Sequence, residues 1–216
     1  MSKINYAIIP AAGLGSRLGK NIPKALVNIT EDKKIIDYQM EFVKDIKNVR
    51  LVAGYQYEKV VEYIKEKDYD IEVFHNSGYK NNTLCHSIYL ATEDLDEPYV
   101  TFDSDLLVNR DEFNNLIKSF NDEPLIGITP TKTEYPFYVN LNENREIVSF
   151  QRSPQTDYEW ATIACLCDPV KIEKDGQWVY AHLEPFLPLK SYTIENCYEV
   201  DTPQDLKLAL SNLDKI

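Results

Sequence analysis

Tyr6-Ala7-Ile8-Ile9-Pro10-Ala11-Ala12-Gly13-Leu14-Gly15-Ser16-Arg17-Leu18-Gly19 is the stretch from which the rest of the chain is best read. Tyr6 to Ile9 is a short apolar run that predicts a buried strand. It passes directly into a loop of small residues. Ala11, Ala12, Gly13 and Gly15 let backbone N–H groups approach an anion closely, because no bulky side chain intervenes. Arg17, and Lys24 within Pro23-Lys24-Ala25-Leu26, add positive charge beside that loop. Two familiar phosphate loops do not fit. A dinucleotide fingerprint starting at Gly13-x-Gly15 needs its third glycine where Leu18 stands, and a Walker loop ending at Gly19-Lys20 needs its first glycine where Leu14 stands. A glycine turn that only joins strand to helix is the plainer alternative, and Arg17 and Lys24 at short range count against it.

Outward from this loop, the first half of the chain alternates apolar runs with helical periodicity. Strands are predicted at Val49 to Ala53, Ile71 to Phe74 and Tyr99 to Phe102, and helices at Ile35 to Val43, Glu58 to Lys65 and Thr83 to Thr92. Such alternation makes βαβ units on a parallel sheet with helices on both faces. After Asp105 the pattern loosens. A helix at Asp111 to Phe120 and a strand at Leu125 to Thr129 precede strand-like pieces at Phe137 to Leu141, Glu146 to Phe150 and Thr162 to Leu166. Pro203, with Thr202 as N-cap, opens a last helix to about Leu213. The expected fold class is α/β: a Rossmann-like three-layer sandwich whose mixed, mostly parallel sheet carries helices on both faces. No repeat or linker divides the 216 residues, so one domain, 1–216, is expected.

Composition removes several classes of function. Lys and Arg number 23 against 35 Asp and Glu, a formal net charge of −12. A nucleic-acid partner needs a basic face and is therefore not expected, although a local pocket for a small anion is compatible with any net charge. No run approaches the ~20 apolar residues that span a bilayer. The first residues lack the apolar stretch of a signal peptide, so a cytoplasmic location without membrane contact is the expectation. Cys85, Cys165, Cys167 and Cys197 lie at no zinc-like spacing and read as reduced thiols, with Cys165 and Cys167 pointing the same way along a strand. His75, His86 and His182 are scattered and read as structural.

Acids follow strands at two distant places. Tyr99 to Phe102 runs into Asp103-Ser104-Asp105, and Tyr198-Glu199-Val200-Asp201-Thr202-Pro203 repeats the arrangement near the other end. Mg²⁺ is held by one or two carboxylates together with phosphate oxygens and water, so two acids that the fold brings together suffice. Each alone reads equally as a turn or helix-entry acid.

These motifs together resemble the nucleotidyltransferases that make nucleotide-sugars and CDP-alcohols, whose fold is of the nucleotide-diphospho-sugar transferase kind. Asn196 to Leu206 and Tyr79 to Leu90 resemble, within that group, bacterial LicC-type phosphocholine cytidylyltransferases. The resemblance implies that Ala11, Ala12, Gly13, Gly15 and Ser16 hold the triphosphate, and that Arg17 and Lys24 offset phosphate charge during transfer. It also implies that Asp105 and Asp201 bind Mg²⁺ with Asp103 as a neighbour, and that Asn82, Thr83 and Ser87 contact the base. Asn81 or Asn82 as a helix cap is the alternative there. Gly54-Tyr55 fits the same group.

The implied activity is Mg²⁺-dependent transfer of a cytidylyl group from CTP to a small phosphorylated or phosphonate alcohol or amine, such as phosphocholine, giving a CDP-alcohol for surface polysaccharide decoration. A sugar-1-phosphate nucleotidyltransferase using UTP, dTTP or GTP is one alternative, and a non-catalytic nucleotide-binding regulator is another. Relatives of this kind are often dimers, so a homodimer is the oligomeric expectation. Two features depart from the phosphocholine group. Arg17 and Lys24 are closer in sequence than that group leads one to expect, and Phe150 to Tyr192 has no counterpart. For the acceptor, Tyr135, Phe137, Tyr138, Tyr158 and Trp160 are candidates to box a quaternary ammonium, or else simply pack.

Overall fold

The computed structural model describes residues 3–216. Strand β1 (Tyr6–Ala11) leads through the small-residue loop to helix α1 (Ile35–Phe42), β2 (Asn48–Ala53), α2 (Tyr57–Glu66), β3 (Glu72–His75), α3 (Leu84–Leu90) and β4 (Tyr99–Thr101). Then come β5 (Leu106–Val108), α4 (Arg110–Ser119), β6 (Leu125–Pro130), β7 (Tyr138–Leu141), β8 (Ile147–Gln151) and β9 (Tyr158–Leu166). The chain closes with α5 (Val179–Leu183), β10 (Lys190–Thr193), β11 (Cys197–Glu199) and α6 (Pro203–Leu210).

The main sheet has the order β10-β6-β9-β4-β1-β2-β3, with β7 paired to β8 and β9. β4, β1, β2 and β3 run parallel, as the alternation requires. β9 enters antiparallel between β4 and β6, and β10 pairs parallel with β6. The sheet is thus mixed and mostly parallel, as expected. Its faces follow the two-residue period of a strand. On β1, Ala7, Ile9 and Ala11 join the core that α1, α2 and α4 cover with Ile36, Phe42, Val60, Phe113 and Leu116. Ile8 points the other way, into the core covered by α3 and α5 through Ile88, Val179 and Leu183. That gives the three layers.

A third apolar cluster (Leu18, Val27, Ile35, Leu107, Tyr198, Val200) joins the first loop to the small antiparallel pair β5–β11 and to α6. This cluster positions the site, because it ties the chain's last acids to its first loop. Among the described residues, no helix is long and apolar enough to cross a membrane.

Several expectations needed correction. The strand expected at Thr162 to Leu166 begins at Tyr158, and the last helix ends at Leu210. β11 is the strand expected before Asp201, whereas β5, β10 and α5 lie where the sequence pattern predicts no element. Within β9 the ladder shifts between Ile126↔Ala164 and Ile128↔Trp160, and Thr162 sits there at φ 54°. A β-branched residue in that region marks a bulge, which interrupts the strand pattern in the sequence.

Candidate active site

In open α/β sheets, ligands collect beyond the carboxyl ends of the strands. Here those ends are Ala11 of β1 and Thr101 of β4, side by side because the two strands pair in parallel from Tyr6↔Tyr99. A cavity of about 250 Å³ opens there, lined by Gly13, Gly15, Arg17, Lys24, Asp105 and Asp201 among others. Gly15 adopts φ +59°, and a Cβ on it would meet Lys24 Cγ at 2.8 Å. The loop therefore needs glycine twice over at this position, for its backbone and for the lysine stem beneath it. The chain then turns through a short 3₁₀ segment, Lys24–Leu26, that begins after Pro23 and anchors Ala25 and Leu26 in the core.

Lys24 Nζ pairs with both Asp105 and Asp201, and Arg17 reaches Asp201 from the solvent side. Burial works against the Lys24 ammonium, but Asp105 and Asp201 more than offset it, so its pKa lies above that of an ordinary lysine. Asp201 is free for this role because the helix-entry task falls to Thr202. The Thr202 hydroxyl accepts from Asp205 N at 3.1 Å, and the Asp205 carboxylate answers at Thr202 N. Asp105 is buried at the end of the β4 turn, braced by Val200 N donating to its carbonyl at 2.9 Å.

Two further acids stand in this field. Burial, and then Asp105, push the Asp103 carboxyl up to about 7. Glu199 is pushed well above the usual carboxylate range, by burial and then by Asp105, Asp103 and Asp201. Glu199 was missed at the level of sequence, although Glu199 and Asp201 are two apart at a strand end and so share a face.

Asp105, Glu199 and Asp201 each offer an oxygen, and the three oxygens lie within 4.8 Å of one another. Asp105 Oδ1 is buried with no hydrogen-bond partner. Mg²⁺ is a hard cation that takes oxygen ligands, so the chemistry of this all-carboxylate set suits such an ion. A buried carboxylate oxygen without a hydrogen-bond partner is what a cation would satisfy.

The remaining candidates are placed differently. Ala11 and Ala12 are buried at the strand end, where they shape the loop, and Gly13 and Ser16 line the cavity. Gly54 packs where a Cβ would meet Tyr79 Cβ at 2.6 Å and Ala12 O at 2.9 Å, and Tyr55 N donates to Ala12 O at 3.0 Å. The turn after β2 thus braces the first loop. Thr83, rather than Asn81 or Asn82, caps α3 by accepting from His86 N, and its hydroxyl donates to Gly176 O at 2.7 Å. Asn82 Nδ2 donates to Asn76 Oδ1 at 2.7 Å, and Asn76 Nδ2 donates to the buried Ser87 hydroxyl at 3.0 Å. Asn82, Thr83 and Ser87 are therefore engaged in holding the segment between β3 and α3, and Leu84, the first residue of α3, lines the cavity.

The five aromatics do not make one box. Phe137 and Trp160 pack with Phe150 and Tyr180, whereas Tyr135 and Tyr138 border a second cavity beside Arg17, and Tyr158 lies under Arg145. Neighbours such as Phe137 and Tyr138 face opposite ways along an extended chain. His75 stacks on Tyr57 with centroids 4.1 Å apart. All four cysteines are free thiols, and Cys165 and Cys167 pack on the same core.

Comparison with known proteins agrees with this picture. The chain is 40% identical over 114 residues to choline-phosphate cytidylyltransferase of Streptococcus pneumoniae, spanning half of this chain and 48% of that protein. It is 39% identical over 72 residues to D-glycero-alpha-D-manno-heptose 1-phosphate guanylyltransferase of Campylobacter jejuni, spanning 31% of this chain and 32% of the relative. These alignments thus cover about half or less of the relatives' length. The solved structure of CTP:phosphocholine cytidylyltransferase (LicC) from S. pneumoniae superposes with a TM-score of 0.79 at 22% identity, over 97% of this chain and 100% of that one, a likeness of fold. Residues 7–173 match the family model for the MobA-like NTP transferase domain. That span includes the strand-end loop, Lys24 and Asp105, and it covers most of the sequence: the chain belongs to the MobA-like NTP transferase domain family.

Proposed function

We propose that the protein is a Mg²⁺-dependent cytidylyltransferase that joins the CMP moiety of CTP to the phosphate or phosphonate of a small alcohol or amine, releasing pyrophosphate. The observation that carries this reading is the convergence of Lys24, Arg17, Asp105 and Asp201 on one cleft under the Gly13–Gly15 loop. An acceptor oxygen attacks the α-phosphorus, a P–O bond forms there, and the bond to the bridging oxygen breaks so that its electron pair leaves with pyrophosphate. A phosphate acceptor is already an anionic nucleophile, so no covalent enzyme intermediate and no Ser-His-Asp constellation are needed.

Positioning and charge neutralisation then carry the catalysis. The loop amides from Gly13 to Ser16 bind the triphosphate. Lys24, held charged by its two carboxylates, faces the transferring phosphoryl group. Arg17, largely exposed, is free to swing from Asp201 onto the leaving pyrophosphate. Asp105 and Asp201, with Glu199 beside them, would hold Mg²⁺, which would supply Lewis-acid neutralisation of phosphate oxygens. The choice of CTP rests on the Asn196–Leu206 and Tyr79–Leu90 segments and is supported by the cytidylyltransferase relative. The product belongs to the activated head groups used to decorate surface polysaccharides.

A second reading, a sugar-1-phosphate nucleotidyltransferase, is favoured by the guanylyltransferase relative alone. Pyrophosphate release from CTP, UTP, GTP, ATP and dTTP, with Mg²⁺ and a pool of phosphorylated alcohols, amines and sugars, separates the two. Release with CTP that depends on one phosphorylated alcohol or amine supports the proposal. Release with GTP, UTP or dTTP and a sugar phosphate replaces it with the second reading.

A further inference from the structure

Beside the catalytic cleft lies a cavity of about 410 Å³ lined by Arg17, Glu134, Tyr135, Pro136, Tyr138 and Arg152. Arg17 borders both spaces, so a molecule with its phosphate in the cleft can extend past Arg17 into this second space. The volume suits a small ligand. Arg152, which borders only the second cavity, is a fixed group. Its Nη1 donates to Tyr135 O at 3.0 Å and Pro136 O at 3.1 Å, and its guanidinium lies over the Phe137 ring, 4.7 Å from the centroid. These contacts engage one edge of the guanidinium. Among the described residues, Nε and Nη2 have no partner. A planar cation pinned by backbone carbonyls with an edge to spare is preorganised for a carboxylate, which matches its donor spacing.

The same arrangement offers a quaternary ammonium only two lining rings, Tyr135 and Tyr138. A choline-type box needs open aromatic faces around a cation. Here Phe137, Phe150, Trp160 and Tyr180 are packed against one another, with centroids 4.7 to 6.4 Å apart in the pairs that involve Phe137. The Phe137 ring already carries the Arg152 cation. The cavity is lined by two arginines and one carboxylate, Glu134.

We infer that Arg152 reads a carboxylate at the far end of the acceptor, so that the second substrate is a phosphorylated small carboxylic acid rather than a phosphorylated quaternary amine. This rests on the nucleotidyl-transfer reading above and deepens it. The test is calorimetric titration of phosphoglycolate, O-phosphoserine, glycerol 3-phosphate and phosphocholine into the Mg²⁺-loaded protein saturated with a non-hydrolysable CTP analogue, using wild type and Arg152→Gln. Hydrogen bonds between charged groups of this kind are worth about 10- to 100-fold in affinity. The two carboxylated probes should bind at least about tenfold tighter than phosphocholine, and Arg152→Gln should erase that preference with analogue affinity unchanged.

Phosphocholine binding as tightly as the carboxylated probes, or a preference that survives in Arg152→Gln, overturns the inference and leaves the nucleotidyl-transfer reading standing. If the analogue itself does not bind, that reading fails first and the inference falls with it.

Discussion

Two cavities lie at opposite ends of the same strands, and they differ in volume and in charge. The larger, about 560 Å³, opens where β4 begins and β9 ends, lined by Tyr99, Cys167 and Lys171 among others. The smaller, about 250 Å³, opens where β1 and β4 finish. Volume favours the first; chemistry favours the second. The acids around the larger cavity are spread over its rim, and their pairings are surface ones, such as Lys171 with Asp168 at 3.5 Å, both well exposed. Pairs of that kind contribute little. At the other end, buried Asp105 and Asp201 are held against one largely buried ammonium, and burial together with the neighbouring carboxylates raises the pKa values of Asp103 and Glu199. Perturbed groups that converge in a cleft are the better sign of function. The topology accounts for the difference: parallel strands deliver their loops to one end, and β9, entering antiparallel, delivers only its terminus to the other.

That contrast can be broken most easily at Lys24. Lys24→Met should lower turnover by about 10²- to 10³-fold, the range for removing one preorganised charge from a transfer site. It should also lower the melting temperature, because Asp105 and Asp201 are left as buried carboxylates without their cation; steady-state kinetics beside thermal unfolding reads both effects. Gly15→Ala should cost about 10- to 100-fold in rate, since its Cβ displaces the lysine stem, and misplacement by an ångström is costly in such sites.

A pH series sharpens the comparison further. The Asp103 carboxyl is raised to about 7 in the folded chain, chiefly by burial and Asp105. An unfolded aspartate ionises near 3.9. Between those values the folded state holds a proton that the unfolded state has lost, so this residue's contribution to stability declines as pH rises through that window. Asp103→Asn removes the titration. Its melting temperature relative to wild type should therefore climb from pH 4 to pH 8; a constant difference would mean that the carboxyl is not perturbed. The smallest effect belongs to the larger cavity. Lys171→Ala should leave turnover within about twofold and stability within about 0.5 kcal/mol, as for an ordinary surface change.

The two ends were also unequally legible in the sequence. The parallel half was readable because β1 and β2 are near-continuous apolar runs, as strands buried on both faces must be. The loop from Gly13 to Lys24 was readable because small residues followed by two cations have few other uses. Asp201 could be found only through resemblance, since an acid before a helix is usually a cap. The structure resolves the ambiguity by giving that task to Thr202 and Asp205.

Other parts were hidden for physical reasons. β10 is a four-residue edge strand, Lys190–Thr193, whose side chains are none of them buried, so it carries no apolar signal. β9 is broken by the bulge at Thr162. Arg152 lies in a turn without periodicity, and what fixes it, two backbone carbonyls and the Phe137 ring, comes from a segment fifteen to seventeen residues earlier. Glu199 lay in plain view beside Asp201, and strand alternation was the signal that could have found it.

The central claim is that the small charged cleft transfers nucleotides, and Asp201→Asn tests it most directly. Asparagine keeps the shape of the side chain and leaves Lys24 paired with Asp105. Pyrophosphate release from CTP should be followed against Mg²⁺ concentration in wild type and variant, with the acceptor that the substrate pool identifies. The account predicts a loss of more than about 100-fold with an unfolding curve close to that of wild type. A variant that retains more than about a tenth of the wild-type rate would contradict it, because loss of an essential metal-binding carboxylate is far costlier than that.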